Sequence, residues 1–594
     1  MKRTNLSICS AVVVGLASAV VIVMPASAVA ARSAAAHMST RHVTFSDPRY
    51  RNSATVAVTG TVEAIDVDNF KNPAHGNRQY GVRADGGALI RVPESFGRKA
   101  PLGGRFTGRF ALTGQLAGDL GDAGVDVQPG GTLDGRSTRG RTALDVASAQ
   151  QAPVPVASAT VVSAAVASPT PAAHHAYVAV INNRGSVNLS SSQIQSYARG
   201  VTDYWVRESN GAITSFPVAG FASYASSAAP GTSSGCGMIN PTAVWNEAAA
   251  KFPGVNFSLA GNHLMIMLAD ECGHAGPAGV GTVGHSIASG GDSMMTLGDG
   301  RLQVGVHEVG HNLSLDHANV EYCPSSCHIS EYLNLHSVMG MAINDFAPTA
   351  LDSPYRYLLG VAGPGEIQDV SVASGGASTV ITASLKPRGG TSGLRGLRVT
   401  DPVSGATYFV DYRSGTERDA GTFYGSSMAK SVAMSLDSAH QSRYSTGVVV
   451  SQIYSGTSTK VMTRKSGSSY YTEFGSGDSY TNAGGSAKVS VLSTSSSGAT
   501  VRVTLGRPIA SSKPTIQGSA RVHHTLTAVP GQWTAGATFT YRWYANGRLI
   551  SGATKSTYWI SRAYVDKYLT VRVRGAVAGY LAVAVTSAKT AKVR

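Results

Sequence analysis

Past residue 24 the chain holds no uninterrupted apolar run near the ~18 residues a membrane-spanning helix needs, so nothing beyond the N-terminus is expected to cross a bilayer. Charge is scarce as well. Only 14% of the 594 residues are charged, which argues against long, salt-bridged surface helices. Although the net charge is +15, the basic residues are scattered and form no dense block, so nucleic acid is not an expected partner. Cysteine is limited to five residues, with none between 29 and 173.

What is abundant is glycine, 68 residues, together with Ala, Ser, Thr and Val, a composition that favours short strands and tight turns. A chain this long exceeds the ~250–300 residues at which single cores stop growing, so three or four units are expected. Lys2 and Arg3 precede an apolar run from about Ala11 to Met24, then Pro25 and the small residues Ala26, Ser27 and Ala28. That pattern predicts a cleaved signal peptide over residues 1–28 and a secreted, extracellular protein, with no membrane partner after cleavage. Cys9 lies before the apolar run and does not read as a lipidation site.

Four cysteines remain: Cys236, Cys272, Cys323 and Cys327. In an oxidising compartment an even count predicts two disulfides, with three possible connectivities. The short "CPSSC" loop favours Cys323 with Cys327, leaving Cys236 with Cys272; a Cys/His metal site in "CPSSCH" is the rival reading.

Alternating stretches such as "ATVAVTGTVEAIDV" place a small antiparallel β domain at residues 42–147, in the position of a pro-region. Residues 148–173 are rich in Ala, Pro, Ser and Val without charge or periodicity, and read as an exposed, cleavable linker. An α+β domain follows at 174–364. It opens on the strand "HAYVAVINN" and a helix carrying Ile194, Tyr197, Val201, Tyr204 and Trp205 near helical spacing. Strand patterns return at 365–506, and residues 512–594 read as an immunoglobulin-like β-sandwich built around Trp543. Its three Trp residues make carbohydrate or matrix binding the alternative role for that module. The fold class is thus multidomain, with an α+β domain flanked by β-rich domains.

The chemistry concentrates in "HEVGHNLSLDH", residues 307–317. His307 and His311, one turn apart on a helix, present two imidazoles from the same face. A catalytic zinc takes three protein ligands and keeps one open position, and His317 is the third candidate if the chain turns sharply after about Leu313. Glu308 stands beside the ligands as the candidate base for a zinc-bound water. The motif matches the metzincin pattern except at Ser314, where the pattern has the Gly that lets the helix end. Serine there opposes a left-handed backbone by roughly 1 kcal/mol. Met339 in "HSVMGMA" is the candidate Met-turn residue, a packing floor beneath the ligands, with Met341 the alternative; His336 beside it is not taken as a ligand.

Together "VHEVGHNLSLDHAN", "SVMG" and "YWVRESNGAITSF" resemble the gametolysin family of secreted metzincin metallopeptidases, over about residues 174–506. The resemblance implies a metzincin-like catalytic domain, one catalytic zinc and endopeptidase activity on extracellular proteins. Some pro-regions of the family block the zinc with a cysteine, a device this N-terminal region lacks. The strand candidate "GGDSMMTL", residues 290–297, is the expected edge for an extended peptide substrate, and "GMAINDFAP" the expected pocket lining. A non-catalytic adhesin or cell-wall-binding protein on the same scaffold, and a zinc hydrolase acting on glycan-linked peptides, are the competing readings. Calcium near Asp299 has a single carboxylate behind it, too few for a site. His174, His175, His274, His285, His523 and His524 are read as surface or structural residues.

Overall fold

The computed structural model describes residues 42–70, 77–150, 152–163, 170–298, 300–373, 378–578 and 580–594. The signal-peptide reading, residues 164–169 of the expected linker and Asp299 lie outside the described residues. The molecule is multidomain and β-rich, with few helices. Among the described residues no helix is long and apolar enough to cross a membrane.

A single twelve-stranded sheet runs through both the N-terminal region and the α+β region. Its hinge is the long strand Thr55–Asp68. The first half of that strand pairs antiparallel with Arg105–Ala111, its outer side pairs with Asn77–Ala84, and its last residues pair antiparallel with Gly279–Val283. The sheet continues through Gly291–Thr296, Asn262–Leu268 and His175–Ile181 to Val218–Tyr224. Alternation in "TVAVTGTVEAIDVD" buries Val56, Val58 and Val62 in the N-terminal core, while Ile65 and Val67 join the core of the neighbouring region.

Three sequence-based expectations are corrected by the structure. Residues 148–173 are not a linker throughout, because Val156–Val162 forms a strand between His42–Ser46 and Arg105–Ala111. Its Val, Ala and Ser residues lack charge because Val156, Ala159 and Val161 are buried. The N-terminal region also carries helices, Gln115–Asp122 and Thr138–Ser148, the second capped by the Ser137 hydroxyl. Nor does residue 365 mark a clean break. Ala318–Tyr322 and His328–Ser330 belong to the seven-stranded sheet that continues into 365–506.

The strand "GGDSMMTL" is likewise not an edge. Gly291–Thr296 lies between Asn262–Leu268 and Gly279–Val283 and is buried along its length, which is why its pattern is apolar without alternation.

Helix Ser191–Glu208 begins in a capping box of Ser190 and Gln193 and buries Ile194, Ala198, Val201, Tyr204 and Trp205. It packs on helix Arg301–Asn312, where the Trp205 indole donates to the Val306 carbonyl at 3.1 Å. In the C-terminal unit a three-stranded and a four-stranded sheet share one core around fully buried Trp543, against which Tyr558 stacks.

A buried polar chain ties the start of the α+β region to the end of helix Arg301–Asn312. His174 Nδ1 lies 2.9 Å from His263 Nε2, His263 Nδ1 lies 3.1 Å from Asn312 Oδ1, and the Asn312 amide donates to the Thr282 and Asp292 carbonyls. Burial, reinforced by neighbouring imidazoles, lowers His263 to about 3 and His174 to about 4 from the usual 6.5. Both folded-state values are depressed. Their stabilisation is therefore complete above pH 6.5 and lost as pH falls from there toward 4. Each ring is expected to cost on the order of 2 kcal/mol by pH 5. Urea unfolding at pH 7 and pH 5 checks this, with His263→Gln losing less stability over that interval than the wild type; an equal loss would contradict it.

Candidate metal centre

Helix Arg301–Asn312 carries His307, Glu308 and His311, all fully buried. It can approach its neighbours closely because it carries glycine where Tyr197 and Met339 meet it. A Cβ on Gly305 would stand 2.3 Å from the Tyr197 hydroxyl, and one on Gly310 would stand 2.5 Å from Met339 Sδ. On the other side, a Cβ on Gly281 would stand 2.9 Å from the Glu308 carbonyl oxygen and 3.1 Å from its Oε2, and one on Gly279 would overlap Oε1 outright. The glycine-rich run "PAGVGTVG" is therefore the space into which the motif helix and its glutamate fit.

The helix ends so that His317 can turn back toward it. Ser314 has φ 81°, in the left-handed region; its amide donates to His311 O, and the Leu315 amide reaches back to Gly310 O at 3.0 Å. This is a Schellman termination with serine in the position glycine normally takes. The departure from the motif is thus absorbed as local strain, without loss of the turn. Ser314→Gly is expected to stabilise the fold by up to about 1 kcal/mol and to leave metal affinity unchanged. Thermal melts and a metal titration check this; a destabilised variant would mean that the serine side chain makes a compensating contact.

The turn brings His317 back beside the first two rings, with centroids 5.7 Å from His307 and 5.0 Å from His311. Each imidazole is oriented through Nδ1. His307 Nδ1 lies 3.2 Å from the carbonyls of Val338 and Gly340, His311 Nδ1 lies 2.8 Å from Leu315 O, and His317 Nδ1 lies 2.6 Å from Glu331 Oε1. A carbonyl only accepts, so on His307 and His311 the proton sits on Nδ1 and the neutral ring turns the Nε2 lone pair inward.

Where the three Nε2 atoms converge lies a carboxylate from the N-terminal region. Asp68 Oδ2 is 3.2 Å from His307 Nε2 and 3.1 Å from His311 Nε2, and Asp68 Oδ1 is 2.9 Å from His317 Nε2. The ligating atoms of these four residues all lie within 4.8 Å of one another. Tyr332 closes the site: its hydroxyl donates to Asp68 Oδ1 at 3.1 Å, and its ring lies 4.3 Å from that of His317. Buried His307 Nε2, His317 Nε2 and both Glu308 carboxylate oxygens lack a well-directed hydrogen bond. Buried polar atoms left so are costly, and three imidazole nitrogens with a carboxylate form a donor set that a tetrahedral zinc satisfies. The residues present therefore fit a metal ion.

The electrostatics match that geometry. Burial alone would raise Asp68, but the three imidazoles hold it well below the usual carboxylate range. Burial, and then the neighbouring Asp68 and Asp66, push Glu308 well above its ordinary value. Burial would lower His317, yet Asp68 and Glu331 raise it well above the usual imidazole value. A cavity of about 260 Å³, lined by residues including Arg78, Asp316, His317 and Tyr454, opens onto this side of the cluster.

Met339 is fully buried against Gly310, and its carbonyl accepts from the Ala318 amide at 2.9 Å. It touches the ligand helix and coordinates nothing. Met341 is only partly buried, and His336 points elsewhere, 3.1 Å from Thr472 Oγ1. The cysteines are bonded as Cys236–Cys272 and Cys323–Cys327, which excludes thiolate ligation in the "CPSSCH" loop. His274 is exposed beside Asp270, whereas His174 is fully buried and does not belong to the surface.

Sequence reasoning missed Asp68, Tyr332 and Glu331. Asp68 gave no signal of its own: in "EAIDVDNF" it alternates with Ile65 and Val67 as a solvent-facing residue would, and only the structure buries it. A buried charge of this kind needs a partner, though nothing in the strand itself says which.

No family model matches the chain, and no curated protein is similar to it. Among solved structures it is similar to the crystal structure of metalloproteinase-II from Bacteroides fragilis, with 10% identity and a TM-score of 0.21, over 52% of this chain and 84% of that one. A likeness at that score says nothing of this chain's activity.

Proposed function

We propose that this protein is a secreted, zinc-dependent endopeptidase of the gametolysin type, hydrolysing peptide bonds of extracellular proteins. The observation that carries the proposal is the convergence of three oriented Nε2 atoms beside a buried glutamate. His307, His311 and His317 would hold the ion. When bound, zinc supplies Lewis acidity to the scissile carbonyl and makes water acidic enough to lose a proton near neutral pH. Glu308 would take that proton and return it to the leaving amine. In the uncut chain burial, and then its charged neighbour Asp68, raise its carboxyl, and removal of the N-terminal region would free it for transfer. Glu331 and the Val338, Gly340 and Leu315 carbonyls orient the ligands and act through them. Met339 supports the ligand helix from below. Secretion is supported by the N-terminal sequence pattern and the two disulfides.

The test is zinc stoichiometry of the full chain, followed by casein hydrolysis after the N-terminal region has been cut away by limited proteolysis of the folded protein and separated. One bound zinc and chelator-sensitive cleavage are expected. If the full chain binds no zinc, or if the separated, zinc-loaded protein leaves casein and a broad peptide library intact, the proposal fails.

A further inference from the structure

We infer that residues 67–70 of the N-terminal region occupy the substrate cleft, with Asp68 as a fourth metal ligand and Phe70 in the pocket that receives a substrate side chain. The substrates assigned are peptides with a large apolar, preferably aromatic, residue on the amine side of the scissile bond. This rests on the peptidase reading above and deepens it.

Four observations carry the inference. First, Gly279–Val283 bounds the motif helix and would be the edge of its sheet but for the Thr55–Asp68 strand, whose residues Ala64–Asp68 pair with it antiparallel, Asp68 opposite Gly279. Strand addition at such an edge is how an extended peptide is bound by backbone hydrogen bonds, and here the N-terminal strand makes those bonds; the Ala278 amide donates to Asp68 O at 2.9 Å. Second, the Asp68 side chain sits among all three Nε2 atoms, in the position that an open catalytic site keeps for water or substrate.

Third, Phe70 follows two residues later and turns inward. It is 7% exposed, its ring meets His307 edge-on at 5.3 Å and Tyr332 at 5.2 Å, and it joins the apolar cluster that includes Leu297 and Val304. A benzyl group in contact with a ligand imidazole shows the size and polarity of the side chain this space accepts. Fourth, the segment is clamped beside the site by ions. Arg78 bridges Asp66 at 2.5 Å and Asp316 at 2.9 Å, the latter adjacent to His317, and buried Arg83 joins Glu63 and Asp292 at 2.7 Å each. The N-terminal region thus places a carboxylate among the three imidazoles and holds the uncut chain inactive.

The experiment uses the full, uncut chain and its Asp68→Ala and Asp68→Asn variants, with zinc affinity read by chelator competition. Loss of the fourth ligand is expected to weaken zinc binding at least tenfold in both variants and to raise hydrolysis of a quenched peptide by the uncut chain at least tenfold. Asp68→Asn preserves the shape of the side chain, so a matching result in the two variants separates loss of the ligand from misfolding. Zinc affinity unchanged in both, with one zinc still bound, would overturn the ligand assignment while leaving the peptidase reading intact. Absence of zinc from the wild type as well would instead sink the peptidase reading. For the pocket, a peptide library is offered to the cut and separated enzyme. At least a tenfold preference for Phe or Leu over Ala and Asp on the amine side is expected. A preference for small or acidic residues there would overturn the Phe70 assignment.

Discussion

Glu308→Gln is expected to keep one zinc bound and to reduce peptide hydrolysis by about 100- to 10,000-fold, the contribution typical of a positioned general base. The substitution is nearly isosteric. It removes the proton acceptor while preserving the packing against strand Gly279–Val283, where Gly279 and Gly281 leave no room for even a Cβ beside the Glu308 side chain. Because Glu308 is fully buried and raised well above its ordinary value by burial and by Asp68, the uncharged amide should be tolerated in the uncut chain without loss of stability. The decisive measurement is kcat/KM of the cut enzyme beside zinc stoichiometry. A variant that binds zinc and retains wild-type hydrolysis would remove Glu308 from the reaction.

In the cut and separated enzyme, which lacks Asp68, His311→Ala is expected to abolish both tight zinc binding and hydrolysis, since two imidazoles remain where a catalytic zinc requires three protein ligands. The effect on stability is large as well. An ion present at about 1,000 times its dissociation constant stabilises the folded state by about 4 kcal/mol, and the variant forfeits that contribution. In the uncut chain it also removes one of the imidazoles packed around the fully buried Asp68, in a place where burial already opposes its ionisation. Thermal melts with and without a chelator read this directly. The wild type should lose several degrees on chelation and His311→Ala should show no further change. A chelator-sensitive melt in the variant would mean that the metal is held elsewhere.

Local order was legible where local physics dictates it. The four-residue spacing of His307 and His311 places them on one helical face in any helix, and the alternation in "TVAVTGTVEAIDVD" dictates a strand whichever sheet receives it. Helix Ser191–Glu208 was legible for the same reason, because Ile194, Tyr197, Val201, Tyr204 and Trp205 recur near helical spacing, whereas its capping box of Ser190 and Gln193 emerged with the structure. The apolar run "GDSMMT" was legible as a strand but not as an interior one, since an apolar pattern does not reveal which neighbours cover it. Residues 156–162 were misread for a related reason: lacking charge and clear alternation, they resemble a linker until two neighbouring strands pair with them.

By itself, then, the sequence determined three histidines at metal-ligand spacing, a glutamate beside them, a helix and a turn to present them, and a β-rich multidomain chain. Tertiary structure alone decided that Asp68, some 240 residues earlier in the chain, would lie among the three imidazoles. It likewise brought Tyr332 and Glu331 to their places, closed the rim of the sheet with the N-terminal strand and turned Phe70 inward. The physical reason is range. Helix periodicity, caps and ligand spacing act over a few residues, whereas the partner of a buried carboxylate is chosen by which strand edge the whole chain leaves open for pairing.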